Sequence, residues 1–411
     1  MTDKPEQPAE PAPQRPGDPT QKDVLGLGGA WAMAVGGMIG GGIFSTLGVV
    51  ISVAGEWAWL SFLIGGIIAF ASGHSYSALT RQLDEPGGSY SFLRSVGQQR
   101  LARYVVWVLI VGYTLTVSVY AVTFGAYAAN VFGRDGMAVT LAGSAAIVIL
   151  TGVNLAGAAE SSRLELVAVW GKLVILLGLA LLGIWHWAPE KLELAHGHPV
   201  GWGEALVGTG VVFMAYEGFQ LLSYDYDEMK DAKRTIKLAM PLAIGVTTAI
   251  YILVAVGAGM LAGANEIVKR EEIALAIAGR DALGAFGFYA VSLAAVFSAA
   301  SAINATVFAT ARLAEHAARD RELPEIFARR SSRDVPWAGI TLIAAAAIVL
   351  VAVGGIERLV SGASLVFLLV FALVNAIAWI RRAGRRWISA VGFAGSLSAA
   401  VMLALYLAGA F

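Results

Sequence analysis

Residues 35–44 read VGGMIGGGIF, which places Gly36, Gly37, Gly40, Gly41 and Gly42 within seven positions of one apolar run. Glycine costs about 1 kcal/mol relative to alanine inside a helix, so five together make a regular turn hard to hold. Two uses of such a cluster are open: unwound backbone, or close packing of the small-xxx-small type. Unwound backbone at membrane depth is tolerated only where it lines a cavity or is buried in protein. A second apolar run carries TGVVFMAYEGFQ (209–220), in which Gly210 and Gly218 flank Glu217. A mid-span carboxylate costs roughly 2.5–3.5 kcal/mol on insertion scales, so it should face a cavity or a partner.

Around these two runs the chain has the composition of a protein dissolved in lipid. Of its 411 residues, 57% are hydrophobic and 14% charged, against about 25% charged in a soluble domain. The apolar stretches long enough to span are 26–51, 56–80, 101–132, 137–156, 163–187, 203–224, 237–262, 283–312, 337–354, 357–379 and 386–409. With the N-terminus placed in the cytoplasm, 22 of the 29 Lys and Arg fall on the inner side and six on the outer, with Lys172 inside a span. That asymmetry predicts a multi-pass protein of the cell membrane, N-terminus cytoplasmic and short C-terminus outside. Residues 1–23 hold six of the twelve prolines and read as a disordered cytoplasmic tail without the apolar core of a cleavable signal. Equal numbers of acidic and basic residues give no reason to expect a nucleic-acid partner. The absence of cysteine excludes disulfides and thiolate chemistry.

The two interrupted runs are the first and the sixth, five spans apart. Five helices followed by five inverted ones is a known transporter plan, with the site where the broken helices meet. The chain then divides into the tail 1–23, a first repeat 24–187, a second repeat 203–379 and an additional transmembrane helix 386–411. At a break, the N-terminus of a half-helix offers free N–H groups to a carboxylate, and the facing carbonyls suit an ammonium or a cation. A zwitterionic amino acid satisfies both, which favours amino acids over sugars. Lys172 sits in LELVAVWGKLVILLGLALL (164–182), about nine residues or roughly 14 Å from the helix start. It is either a proton-coupling group or a fixed cation bonded to carbonyls.

These residues resemble the amino acid–polyamine–organocation (APC) superfamily. IGGGIF (39–44) looks like its helix 1 signature, and EPGGSYSFL (85–93) is similar to its Pro-x-Gly-Gly-x-Tyr loop. AYEGFQ (215–220) resembles the helix 6 break, DYDEMKDAKRTIKLAMP (225–241) the segment that follows, and ARDRELPEIFARR (318–330) the loop after helix 8. The resemblance implies an all-α transmembrane fold of the LeuT type, a 5+5 inverted-repeat bundle plus one extra C-terminal helix, with about eleven spans. It implies amino-acid transport by alternating access, as a prokaryotic permease. Ile39, Gly40, Gly41 and Gly42 match the positions that hold the substrate carboxylate. Met214, Ala215, Tyr216 and Gly218 match those around the amine and side chain. Lys172 matches the helix 5 lysine that stands where sodium sits in sodium-driven relatives, so proton coupling is expected, with no sodium and no cofactor. Three departures stand out: Gly41 where many relatives have Ser, Arg321 in place of Gly, and eleven spans where twelve are commoner. The last removes an element associated with dimer contacts, so the oligomeric state stays open.

Glu217 either selects a cationic substrate or bonds the unwound backbone; the former would make the protein an exchanger or a carrier of polyamines or cationic amino acids. His74 reads as a packing residue. His196 and His198, with His186 nearby, lack the further ligands a metal site needs, and no metal is expected. Trp57, Trp59, Trp185, Trp187, Trp202 and Trp337 cluster at span ends as interfacial anchors do. Tyr113, Thr116, Ser298 and Ser301 have the depth of pocket residues on helices 3 and 8. A membrane enzyme would need clustered acids, histidines or a metal within the spans, whereas His74, Lys172 and Glu217 are scattered.

Overall fold

A computed structural model describes residues 25–157, 162–194, 201–333 and 335–409, with side chains throughout except at 162–168. The tail 1–23 and the pair His196 and His198 lie outside the described residues. Helix dominates, because a chain without water can satisfy its backbone only within itself. The elements are α1 (Leu27–Met38), α2 (Gly42–Ala54), α3 (Ala58–Leu83), α4 (Ser89–Ser95), α5 (Gln99–Val131), α6 (Met137–Leu155), α7 (Ser162–Trp185) and α8 (Glu204–Val212). They continue with α9 (Leu221–Tyr224), α10 (Ala232–Ala262), α11 (Ala264–Lys269), α12 (Ala274–Arg319), α13 (Trp337–Val353), α14 (Ile356–Ile380) and α15 (Arg386–Leu407).

Every apolar run predicted to span coincides with helix, and the first and sixth are each divided, into α1 and α2 and into α8 and α9. Eight helical stretches are long and apolar enough to cross a membrane, with shorter apolar helices at Leu27–Met38, Val169–Trp185 and Trp337–Val353. The outer surface carries Val148, Ile149, Leu293 and Phe297, each 59–65% exposed. Such an apolar exterior on a folded chain has lipid as its natural solvent.

Two boundaries differ from the sequence reading. The eighth run extends to Arg319, so the quoted loop at 318–330 begins inside a helix, and the stretch before the run is helical too, joined across a kink at Leu283 and Gly284. Arg321, which replaces the family's glycine, then turns the chain with φ +61°. That left-handed conformation penalises a side chain by about 1–2 kcal/mol and would suit glycine better.

The additional helix α15 is locked into the bundle by polar contacts in its interior. Ser75 on α3 donates to Asn375 Oδ1 at 2.7 Å and lies 3.0 Å from the Ser389 hydroxyl of α15. Asn375 on α14 donates to Ser72 Oγ at 2.9 Å. Gly392 of α15 fits directly over this amide, since a Cβ there would lie 2.4 Å from Asn375 Oδ1. Gly392→Leu should therefore overpack the contact and lower stability by about 1–3 kcal/mol in a detergent melt. Arg321→Gly, at an exposed position, should raise it by about 1 kcal/mol in the same assay.

Candidate functional site

The glycine cluster does both of the things open to it. Gly36 and Gly37 stay helical as the last turn of α1, and the chain leaves helical pairing only at residues 39–41 before α2 begins at Gly42. The break is thus shorter than the glycine-rich run. Gly37 serves packing instead: a Cβ on it would lie 3.2 Å from the Cα of Gly218. In the sixth run α8 tightens into a 3-10 turn at Phe213–Tyr216, and Glu217 is extended at φ −63°, ψ 137°. Gly218 follows at φ +133°, and a Cβ there would lie 2.6 Å from both Gly37 C and Met38 N. Only glycine meets the conformation and the contact together. Gly42 packs likewise on Ala215, its Cβ position 2.9 Å from the Ala215 Cα. The two broken segments therefore touch, backbone to backbone.

Side chains from other helices hold the exposed carbonyls. The Tyr251 hydroxyl of α10 lies 2.7 Å from Met38 O and 2.8 Å from Ala215 O, so a single O–H proton ties one break to the other. Lys172 Nζ donates to Gly36 O at 3.2 Å and to Ser298 Oγ at 3.5 Å. Ser298 in turn donates to Ile39 O at 3.1 Å and to Gly40 O, which share its proton. In the other segment Met214 N donates to Ser364 Oγ at 2.9 Å, and Ser364 donates to Val211 O at 2.7 Å. Gln220 closes a local ring: its Oε1 accepts from Gly218 N at 2.9 Å and its Nε2 donates to Glu217 Oε1 at 2.8 Å. Glu217 thus reaches the unwound backbone through Gln220. Gln220 also lies 3.3 Å from the Tyr113 hydroxyl.

The carbonyl side of the first break is occupied by Lys172, Tyr251 and Ser298. The N–H side is different. The first turn of a helix leaves its N–H groups without intrahelical acceptors, so α2 presents Gly42, Ile43 and Phe44 at the break with the positive end of its dipole. An anion is the natural partner there.

A cavity of about 510 Å³ runs toward the breaks from one end of the bundle, bounded by Met33, Tyr113, Leu221, Tyr224, Phe308 and Arg312 among others. Its rim carries the exposed Arg312, His316 and Arg319, and its inner wall reaches Tyr113, the partner of Gln220. Ion pairs brace this end: Glu315 takes Arg319 and Arg330 at 2.6 Å each, and Arg103 meets Glu322 at 2.7 Å. Asp84 at the end of α3 pairs with Lys233 at 2.8 Å and accepts from Tyr226 at 2.9 Å, which together hold its carboxyl below the usual range. The quoted Pro-Gly-Gly loop docks on the sixth run, with Gly87 N donating to Ser223 O at 2.8 Å. The opposite end is tight. A Cβ on Gly48, farther along α2, would lie 2.3 Å from Glu271 O.

The structure thus gathers Ile39, Gly40, Gly41, Gly42, Met214, Ala215, Glu217, Gly218, Lys172, Tyr113 and Ser298 around one junction. Tyr216 points elsewhere, donating to Phe62 O at 2.5 Å. Thr116 bonds its own helix at Gly112 O, and half-buried Ser301 has no bond to either break. His74 accepts from Arg385 N at 3.0 Å, a packing role far from the breaks. No group of three metal-ligating side chains occurs among the described residues. Sequence reading passed over Tyr251, Ser364 and, though quoted, Gln220. The available signal was a phenol, a hydroxyl and an amide inside apolar runs, where each needs a partner.

Comparison with known proteins points the same way. A family model described as amino acid permease matches residues 25–411. The inner membrane transport protein YbaT of Escherichia coli (strain K12) is 31% identical over 362 residues, covering 86% of this chain and 83% of its own length. The serine/threonine exchanger SteT of Bacillus subtilis (strain 168) is 26% identical over 349 residues, covering 82% and 78%. The methylthioribose transporter of the same organism is 25% identical over 316 residues, covering 72% and 67%.

Gly218→Ala should break the junction, since both its φ and its contact exclude a side chain: loss of transport and a melt lowered by about 2–4 kcal/mol. Tyr251→Phe keeps the packing and removes only the shared proton, costing about 1–3 kcal/mol in the same melt.

Proposed function

This chain belongs to the amino acid permease family, a multi-pass membrane transporter of small molecules and not an enzyme, and from that premise we propose that it carries amino acids by proton-coupled alternating access. The observation that supports this most is the junction of two interrupted helices, with N–H groups on one side and a buried ammonium on the other. A substrate carboxylate fits the first turn of α2 beside Gly40, Gly41 and Gly42. Its amine fits the carbonyls and polar groups around Met214, Ala215 and Glu217.

Lys172 is the coupling group in this reading. Its ammonium serves the first break directly at Gly36 and through Ser298 at Ile39 and Gly40. In that place it does the work of a bound cation, which is why sodium is not required. Loss of its proton withdraws one positive charge from the break and loosens α1 from α7 and α12, and with them the site.

The arrangement of the ends supports alternating access. The cavity leads in from the end that bears Arg94, Arg103, Arg312, Arg319 and Arg330, while the Gly48–Glu271 contact closes the other. By the bias of basic residues that open end is cytoplasmic, which makes this an inward-facing arrangement of an eleven-span, 5+5 bundle in the cell membrane.

The test is uptake by purified protein in liposomes. Amino-acid accumulation should follow an imposed pH gradient, persist in sodium-free buffer, and fall by at least about tenfold in Lys172→Gln with the fold retained. Accumulation that requires sodium and ignores pH contradicts the proposal. Strict dependence on internal amino acid, without a response to pH, would identify an exchanger.

A further inference from the structure

Gly41 ends the first break at φ −126°, ψ −10°, a backbone that any L-residue can adopt. Chain geometry does not require glycine here. Space does. A Cβ on Gly41 would lie 2.2 Å from Cδ1 and 2.4 Å from Cε1 of Tyr120, on α5. These atoms belong to a rigid ring, and Tyr120 is 2% exposed, so the ring cannot swing out into solvent. A serine here does not fit unless the tyrosine moves.

The other end of Tyr120 is equally informative. Its neighbours Tyr113, Tyr216 and Tyr251 each place the hydroxyl on a partner: Gln220, Phe62 O, and the Met38 and Ala215 carbonyls. The Tyr120 hydroxyl makes no hydrogen bond among the described residues, and unlike the Tyr127 hydroxyl it is not among the fully enclosed polar atoms left without a partner. A phenol beside the first break with neither a partner nor full enclosure has room at its hydroxyl for a ligand or a bridging water. The ring therefore stands against the first break at Gly41, next to the first turn of α2 where a zwitterion's carboxylate would sit.

We propose that Tyr120 sets the size limit of the substrate: seated on Gly41, it restricts transport to amino acids with short side chains, such as glycine, alanine, serine and threonine, and offers them its hydroxyl. This rests on the amino-acid reading above and adds to it which members of the class are admitted. A substrate whose carboxylate sits on the first turn of α2 has its Cα within a few ångströms of Gly41, so a long side chain and the phenol ring compete for one volume. In a close-fitting pocket each methylene is worth roughly 10–200-fold in discrimination.

The test uses the full chain, purified, with binding of each of the twenty L-amino acids read by thermal shift and by competition. The native protein should be stabilised by the short amino acids only. Tyr120→Ala should gain at least about tenfold in affinity for leucine, methionine and phenylalanine. Gly41→Ser should lose at least about tenfold for the short ones, and adding Tyr120→Ala to it should restore them. Tyr120→Phe, which keeps the ring and should fold as native, retains the size limit and binds more weakly. An identical size profile in native and Tyr120→Ala protein, or native binding by Gly41→Ser, overturns the proposal and leaves amino-acid transport standing. If no amino acid stabilises any of these proteins, the amino-acid reading fails and takes this one with it.

Discussion

In hydrocarbon, a backbone amide or carbonyl without a partner costs several kcal/mol, and this constraint governs the whole molecule. A continuous helix meets it internally. This chain gives up that solution twice, at residues 39–41 and 217–220, and must supply replacements. On the carbonyl side of the first break they come from three side chains on three helices: Lys172 of α7, Tyr251 of α10 and Ser298 of α12. The amide side receives no such side chain among the described residues, which leaves it for the proposed substrate carboxylate to use. A transporter needs this asymmetry, because groups already satisfied hold the site open while unsatisfied ones provide the affinity.

The same bonds join the two broken segments to each other. Tyr251 links the breaks through one proton, and Gly37 rests on Gly218 with no room for a methyl group. Behind the second break a cluster of rings gives firm support: Phe371 of α14 lies 5.2 Å from Phe219, 5.5 Å from Phe213 and 5.5 Å from Tyr76. The last two are edge-to-face and the first is tilted, and edge-to-face pairs contribute about 0.5–1.5 kcal/mol each beyond burial. The junction is thus braced on the α14 side by packed rings.

Much of this was legible in the sequence, for identifiable reasons. Lipid imposes a length and an apolar composition on every span, so the runs from 26–51 to 386–409 could be read directly. Breaks in the first and sixth runs were marked by glycine and by one buried acid. The extent of the first was overestimated because glycine count cannot separate unwinding from close packing; Gly36 and Gly37 turned out to be helical. Ser298 and Tyr113 could be nominated by depth, whereas Tyr251, Ser364 and Tyr120 act through contacts with elements distant in sequence. No local pattern encodes such contacts. Arg321 shows the converse: its φ of +61° is a conformation that favours glycine, and nothing in the local sequence announced it.

The central claim is that backbone N–H groups at the first break stand free for a ligand. Hydrogen–deuterium exchange of peptides spanning 36–46, with and without saturating amino acid, tests it most directly. Measurable exchange is expected at residues 41–44 in the free protein, with slow exchange in the flanking turns of α1 and α2 and protection of 41–44 when ligand binds. Amides at 41–44 as slow as those of the flanking helices, and unaffected by any ligand that binds, would contradict it.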